Sequence, residues 1–251
     1  MPASQLLIAV HGWLLSKQVW SPLAACWKER HPEIELWCPD LPGFGDAERP
    51  SGLLPNLSAY GRWLADDAIH RAKGRPFVLL GHSLGGSVVL HAEAHLRRQK
   101  QTGLLGVVLL AAGGGIYQPR PFRRLRGFGK LILELRPDGL AQLPAPLGTL
   151  GPFKAERRAA RGLLVNSTSR GAVRELPGLV SDLAVDSLWI SGDNDQVMEP
   201  GYVRHLAAYS PGHDYHQIAG CGHLPMQEKP EILSDILSSW IESQSLARPR
   251  S

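Results

Sequence analysis

The stretch FVLLGHSLGGSVVL, residues 77–90, limits what this chain can fold into more than any other. An apolar run suited to a buried strand ends at Gly81, a histidine, a serine and two glycines follow, and apolar residues then resume at helical spacing. A sharp strand-to-helix turn accounts for the break. Gly81 and Gly85, two positions either side of Ser83, let strand and helix pass closely, and the serine oxygen points out of the C-terminal edge of a sheet. A helix N-terminus there favours developing negative charge. The plain alternative is a glycine-rich turn that only packs a helix on a sheet.

The rest of the chain supplies the sheet. Short apolar runs at 6–10, 34–40, 77–81, 104–112 and 187–192, and the stretch DYHQIAG at 214–220, read as strands. Helical spacing appears at 18–30, 57–73, 84–98, 200–210 and 230–243. Strands that alternate with helices predict βαβ units: a mostly parallel sheet of about six strands with helices on both faces. Residues 113–185 do not alternate. They carry seven prolines and twelve Lys/Arg against five Asp/Glu, an excess of seven in a chain whose net charge is +4. This segment reads as a helical cap inserted into a core of residues 1–112 and 186–251.

Composition sets outer limits. A chain of 251 residues, 43% hydrophobic and 20% charged, can bury a full core without staples. No apolar stretch approaches the length of a membrane-spanning helix, and the first residues lack a basic n-region and cleavage site. Cys26, Cys38 and Cys221 are too few and scattered for a disulfide framework or a metal site, so a reducing cytoplasm is the default location. The basic excess is confined to one segment, which argues against a nucleic-acid binder.

A serine on such a turn needs a base. His223, in GCGHLPMQEKP, follows the last strand, where ligands meet open parallel sheets. An orienting carboxylate is offered by WISGDNDQVMEP: Asp195 can reach a loop from the next strand, Asp193 is placed to cap its own turn, and Glu199 is a more distant choice. The chain order Ser, Asp, His is that of one hydrolase architecture. The oxyanion donors of such a site are the amide after the nucleophile, here Leu84, and one from an early loop, here Trp13 in HGW. Gly12 lets that amide turn inward, and His11 and His82 are expected to support the site.

These motifs, HGW, DLPGFG, GHSLGG and the pair GDND…GCGH, occur in an order that resembles the α/β-hydrolase superfamily over nearly the whole chain. The chain is most similar to small capped serine esterases and C–C hydrolases. AAGGGIY and VMEPGYVRHLA also resemble uncharacterised hydrolases of cyanobacteria and plastids. The resemblance implies a carboxylic ester hydrolase that works through Ser83, His223, Asp195 and an acyl-enzyme, with no cofactor and no metal. It leaves open a C–C hydrolase or small-acid-eliminating lyase of the menaquinone-pathway type, a slow ligand receptor and an acyltransferase. Members usually begin with an antiparallel hairpin. Only five residues precede the first apolar run here, which implies a sheet without that hairpin. The expected partner is a small-molecule ester, lipidic or not; oligomeric state is not legible.

Three further features stay open. His91 and His95 lie four apart on a helix, and the expected reading is ordinary helix surface rather than a metal pair. The basic run at 120–130 fits a solvated face, a contact with anionic membrane or a grip on an acidic substrate. The apolar run at 139–153 fits an acyl pocket or simple packing of the cap.

Overall fold

A computed structural model describes residues 5–113 and 155–247. Six strands form one sheet: β1 (Gln5–Val10), β2 (Ile34–Trp37), β3 (Phe77–His82), β4 (Leu104–Leu110), β5 (Asp186–Gly192) and β6 (His213–Ile218). Their order is β2-β1-β3-β4-β5-β6, and every pairing is parallel. All strand C-termini therefore open on one edge, with β1 and β3 side by side near its middle.

The four central strands, β1, β3, β4 and β5, are covered on both faces, which explains their unbroken apolar runs, whereas the edge strand β6 is largely exposed. Leu6, Ile8 and Val10 of β1 face one core. That core is closed by Leu64 of α2 (Leu57–Ala72), Val88 of α3 (Leu84–Arg98) and Val203 of α6 (Pro200–Ala207). Leu7 and Ala9 face the other, closed by Leu23 and Trp27 of α1 (Ser21–Arg30) and Leu237 and Trp240 of α8 (Pro230–Ala247). The short α7 (Pro225–Glu228) precedes α8 and has too few residues to show a period in sequence.

Between β4 and β5 the described residues hold α4 (Arg157–Ser167) and α5 (Arg170–Ser181). They are tied to the loop after β2. Arg49 donates to both carboxylate oxygens of Glu156 (2.6 and 2.9 Å), and the Glu156 amide donates to the Gly43 carbonyl at 2.6 Å. The Trp13 indole N–H donates to the Ala160 carbonyl of α4 at 2.9 Å. Residues 120–130 and 139–153 lie outside the described residues.

One expectation needs correction. His91 is not ordinary helix surface: it is 8% exposed, packed where α3 crosses α2. Gly61 of α2 makes this possible, since a side chain there would collide with His91. His95 is half-buried, with Nε2 3.8 Å from an Asp66 carboxylate oxygen and 3.0 Å from the Gln99 amide nitrogen.

Candidate active site

Ser83 sits between β3 and α3 with φ 53° and ψ −117°, a left-handed conformation unusual for a residue with a side chain. The strain is held by neighbours. The Ser83 amide donates to the Leu110 carbonyl at 2.9 Å, and the Ser83 carbonyl accepts from the Gly86 amide at 3.0 Å. A Cβ at Gly81 would run into the Gly85 carbonyl, and one at Gly85 would lie 2.6 Å from the Val10 carbonyl oxygen. The glycine spacing thus follows from two backbone approaches, strand to helix and helix to β1.

His223 lies in the loop between β6 and α7, pinned from several sides. Glu228 accepts the Gly222 amide at 2.7 Å and the Leu224 amide at 3.0 Å. The His223 carbonyl lies 2.8 Å from His82 Nε2, and its ring Nδ1 lies 2.8 Å from Asp195 Oδ2. A carboxylate partner assigns the proton to Nδ1 and leaves Nε2 free to accept one. Asp195 is 3% exposed; its other oxygen, Oδ1, accepts the Val197 and Met198 amides, each at 2.8 Å. The carboxylate is therefore fixed by backbone before it meets the imidazole.

Asp193, two residues away, faces solvent and does a different job. It accepts the Cys221 amide at 3.1 Å, and the backbone N–H groups of Gly220 and Cys221 hold its carboxyl below the usual range. It laces the loop after β5 to the loop after β6. Glu199 stands at the N-cap of α6.

The loop after β1 runs beside the serine: a Cβ at Gly12 would lie 3.2 Å from that of Ser83. Its shape is set by the Gly12 carbonyl, which accepts from His11 Nδ1 at 2.8 Å and from the Leu15 amide at 3.3 Å. His11 Nε2 accepts the Leu41 amide at 3.0 Å. With one nitrogen donating and the other accepting, the ring is neutral, and burial pushes its pKa down to about 4. Trp13 follows in the turn, and Leu84 is the first residue of α3, whose amide has no partner within its own helix. His82 is fully buried; burial first, and the nearby His223 second, push its pKa well below the ordinary imidazole value.

The structure thus brings Asp195 to His223 and sets Gly12 and His82 around Ser83. The Glu228 clamp was missed in sequence; its signal is a carboxylate five residues after the histidine, within reach of both flanking amides. Among the described residues no group of three His, Cys, Asp or Glu is arranged to hold a metal. No described helix is long and apolar enough to cross a membrane.

A family model described as "Alpha/beta hydrolase family" matches residues 7–236. A pimeloyl-[acyl-carrier protein] methyl ester esterase of Xanthomonas axonopodis pv. citri is 30% identical over 253 residues, covering 94% of this chain and 95% of that protein. One of Stenotrophomonas maltophilia is 28% identical, covering 96% and 94%. Among solved structures, a thermophilic esterase from Thermogutta terrifontis superposes with a TM-score of 0.76 at 20% identity, covering 96% of this chain and 91% of that one. MenH from S. aureus gives 0.75 at 16%, covering 98% and 96%.

Proposed function

This chain belongs to the alpha/beta hydrolase family, and on that premise we propose that it is a serine esterase whose substrate is the methyl ester of an acyl chain carried on an acyl-carrier protein. The observation that carries the chemistry is the 2.8 Å contact between Asp195 and His223, on the edge where Ser83 is held in its strained turn. The substrate class is supported by the two relatives described above, both named for that activity and matched over nearly their whole length.

In this reading Ser83 Oγ attacks the ester carbonyl while His223 Nε2 takes its proton. The oxyanion is held by the Leu84 and Trp13 amides, each such donor being worth about 10²–10³-fold in rate. His223 returns the proton to the departing methanol, which leaves an acyl-enzyme. Water, deprotonated by His223, then attacks the acyl carbonyl, and as the acid departs His223 returns that proton to Ser83 Oγ. Asp195 keeps the imidazole in the Nδ1–H tautomer and stabilises the imidazolium that forms at each step.

The described part of the insertion expected at 113–185, α4 and α5, serves as a cap on a core of 1–112 and 186–251. On α4, α5 and their caps, Arg157, Arg158, Arg161, Arg170 and Arg174 are exposed, against Glu156, already engaged by Arg49, Glu175 and Asp182. That excess suits a substrate delivered on an anionic carrier.

The test is hydrolysis of a carrier-bound dicarboxylate monomethyl ester, beside a p-nitrophenyl ester of similar chain length. Ser83→Ala should lower kcat by on the order of 10⁶-fold on both. A fluorophosphonate should label wild type at Ser83. Labelling at Ser87 or Ser191, or activity retained in Ser83→Ala, overturns the site. Preference for the free ester over the carrier-bound one overturns the substrate.

A further inference from the structure

We propose that His82, the residue before the candidate nucleophile, is a positioning residue: its Nε2–H holds the backbone of the His223 loop and so sets where the His223 ring stands relative to Ser83. The inference rests on the reading of Ser83 and His223 given above. His82 Nε2 lies 2.8 Å from the His223 carbonyl oxygen. A carbonyl only accepts, so the ring proton is on Nε2. Nδ1 is then a bare acceptor, and it is buried with no hydrogen-bond partner, against Gly12, where a Cβ would lie 2.9 Å from it.

Burying an imidazole with one nitrogen orphaned costs free energy that an apolar side chain of similar size would not incur. What the imidazole adds is a single donor, aimed at the main chain of the base. The ring is set for that role. Trp20 meets it edge-on with centroids 6.5 Å apart, and the His223 ring lies 4.8 Å away at 54°. His223 is thereby restrained in three directions: flanking amides by Glu228, ring by Asp195, carbonyl by His82. Burial first, then the His223 and His11 rings, disfavour a second proton on His82, and the bond to the His223 carbonyl offsets this only in part. His82 therefore adds no positive charge beside the imidazolium that forms on His223. It does not compete as a base, because its one free nitrogen faces Gly12.

The experiment compares His82→Met, which keeps length but has no donor, with His82→Gln, whose amide N–H reaches about where Nε2 stood. In p-nitrophenyl ester turnover His82→Met should lose about 10²-fold in kcat with KM changed by less than about 3-fold, since a small misplacement of a reacting group costs that much. Fluorophosphonate labelling of Ser83 should slow in parallel, and His82→Gln should recover most of both. Full activity in His82→Met, or His82→Gln as impaired as His82→Met, overturns the proposal. A test on the wild type needs no variant to fold: imidazole ¹⁵N NMR should find His82 neutral with its proton on Nε2 from about pH 5 to 8. A proton on Nδ1, or titration in that range, overturns it equally. His223→Ala separates the two readings. Activity retained there sinks the site itself, whereas a dead His223→Ala beside a fully active His82→Met sinks only the positioning role.

Discussion

At the scale of single residues, the pair Asp193 and Asp195 shows how position turns one side-chain type into two. Asp195 offers one oxygen to two amides and the other to His223. In Asp195→Asn the amide oxygen stays with Val197 and Met198, so the NH₂ group faces His223 Nδ1. The imidazole then has to put its proton on Nε2, and nothing is left to accept from Ser83. A loss of about 10⁴-fold in kcat is expected, as for similarly placed aspartates. Asp193→Asn keeps an oxygen for the Cys221 amide and should change kcat/KM by less than about 10-fold. Steady-state kinetics of the two variants decides; a larger loss in Asp193→Asn would move the acid by two residues. Chain order put both aspartates at the right strand end, but burial and backbone partners, which tell them apart, are not written in a sequence. His82 was legible only as a neighbour of the serine, because the carbonyl it meets is 141 residues away.

At the scale of elements, the central strands were legible because a parallel sheet buried on both faces leaves near-continuous apolar runs, while the polar edge strand β6 carries no such run. Their ends were less so. The run at 34–40 pairs only as far as Trp37 before Pro39 ends it. His91 was misread because burial of a polar residue on α3 depends on a glycine thirty residues earlier, in α2. The turn at Ser83 gives the element-scale prediction. A methyl at Gly85 would press on the carbonyl oxygens of Val10 and His11, at 2.6 and 2.7 Å, and main chain cannot swing aside as a side chain can. Gly85→Ala should cost roughly 1–3 kcal/mol by urea unfolding, as overpacking does. It should also lower activity, since His11 begins the loop that presents Trp13. Gly178→Ala, inside α5 with nothing within 4 Å, is the control and should be neutral or stabilising by up to about 1 kcal/mol. Equal effects from the two would mean that helix propensity, not the close approach to β1, governs the turn.

At the scale of the whole molecule, buried imidazoles, two of them beside the site, govern how the fold responds to acid. His11, His82 and His91 are all held below their ordinary pKa, chiefly by burial. A histidine that stays neutral in the fold but charges when unfolded contributes nothing above its unfolded pKa. It favours unfolding progressively as pH falls below that value, and the effect levels off once the folded pKa is passed. For His11 the window runs from 6.5 down to about 4 and amounts to ~2 kcal/mol by pH 5. His82, fully buried too, adds a loss of the same sign. The carboxylates paired with arginine act lower. Glu35, against an opposing burial cost, and Glu156 are depressed by their arginine partners and lose their stabilising contribution only below the ordinary Glu value of 4.5. Glu93 and Asp67, raised by burial, are relieved as they protonate above their ordinary values and so offset part of the histidine loss. The urea midpoint should therefore be flat between about pH 7.5 and 8 and fall clearly between pH 6.5 and 5, before most carboxylates titrate. A midpoint unchanged from pH 8 to pH 5 would mean that these rings reach water and protonate in the folded state. The neutral, donor-plus-acceptor role of His11 under the loop that carries Trp13 would then have to be given up.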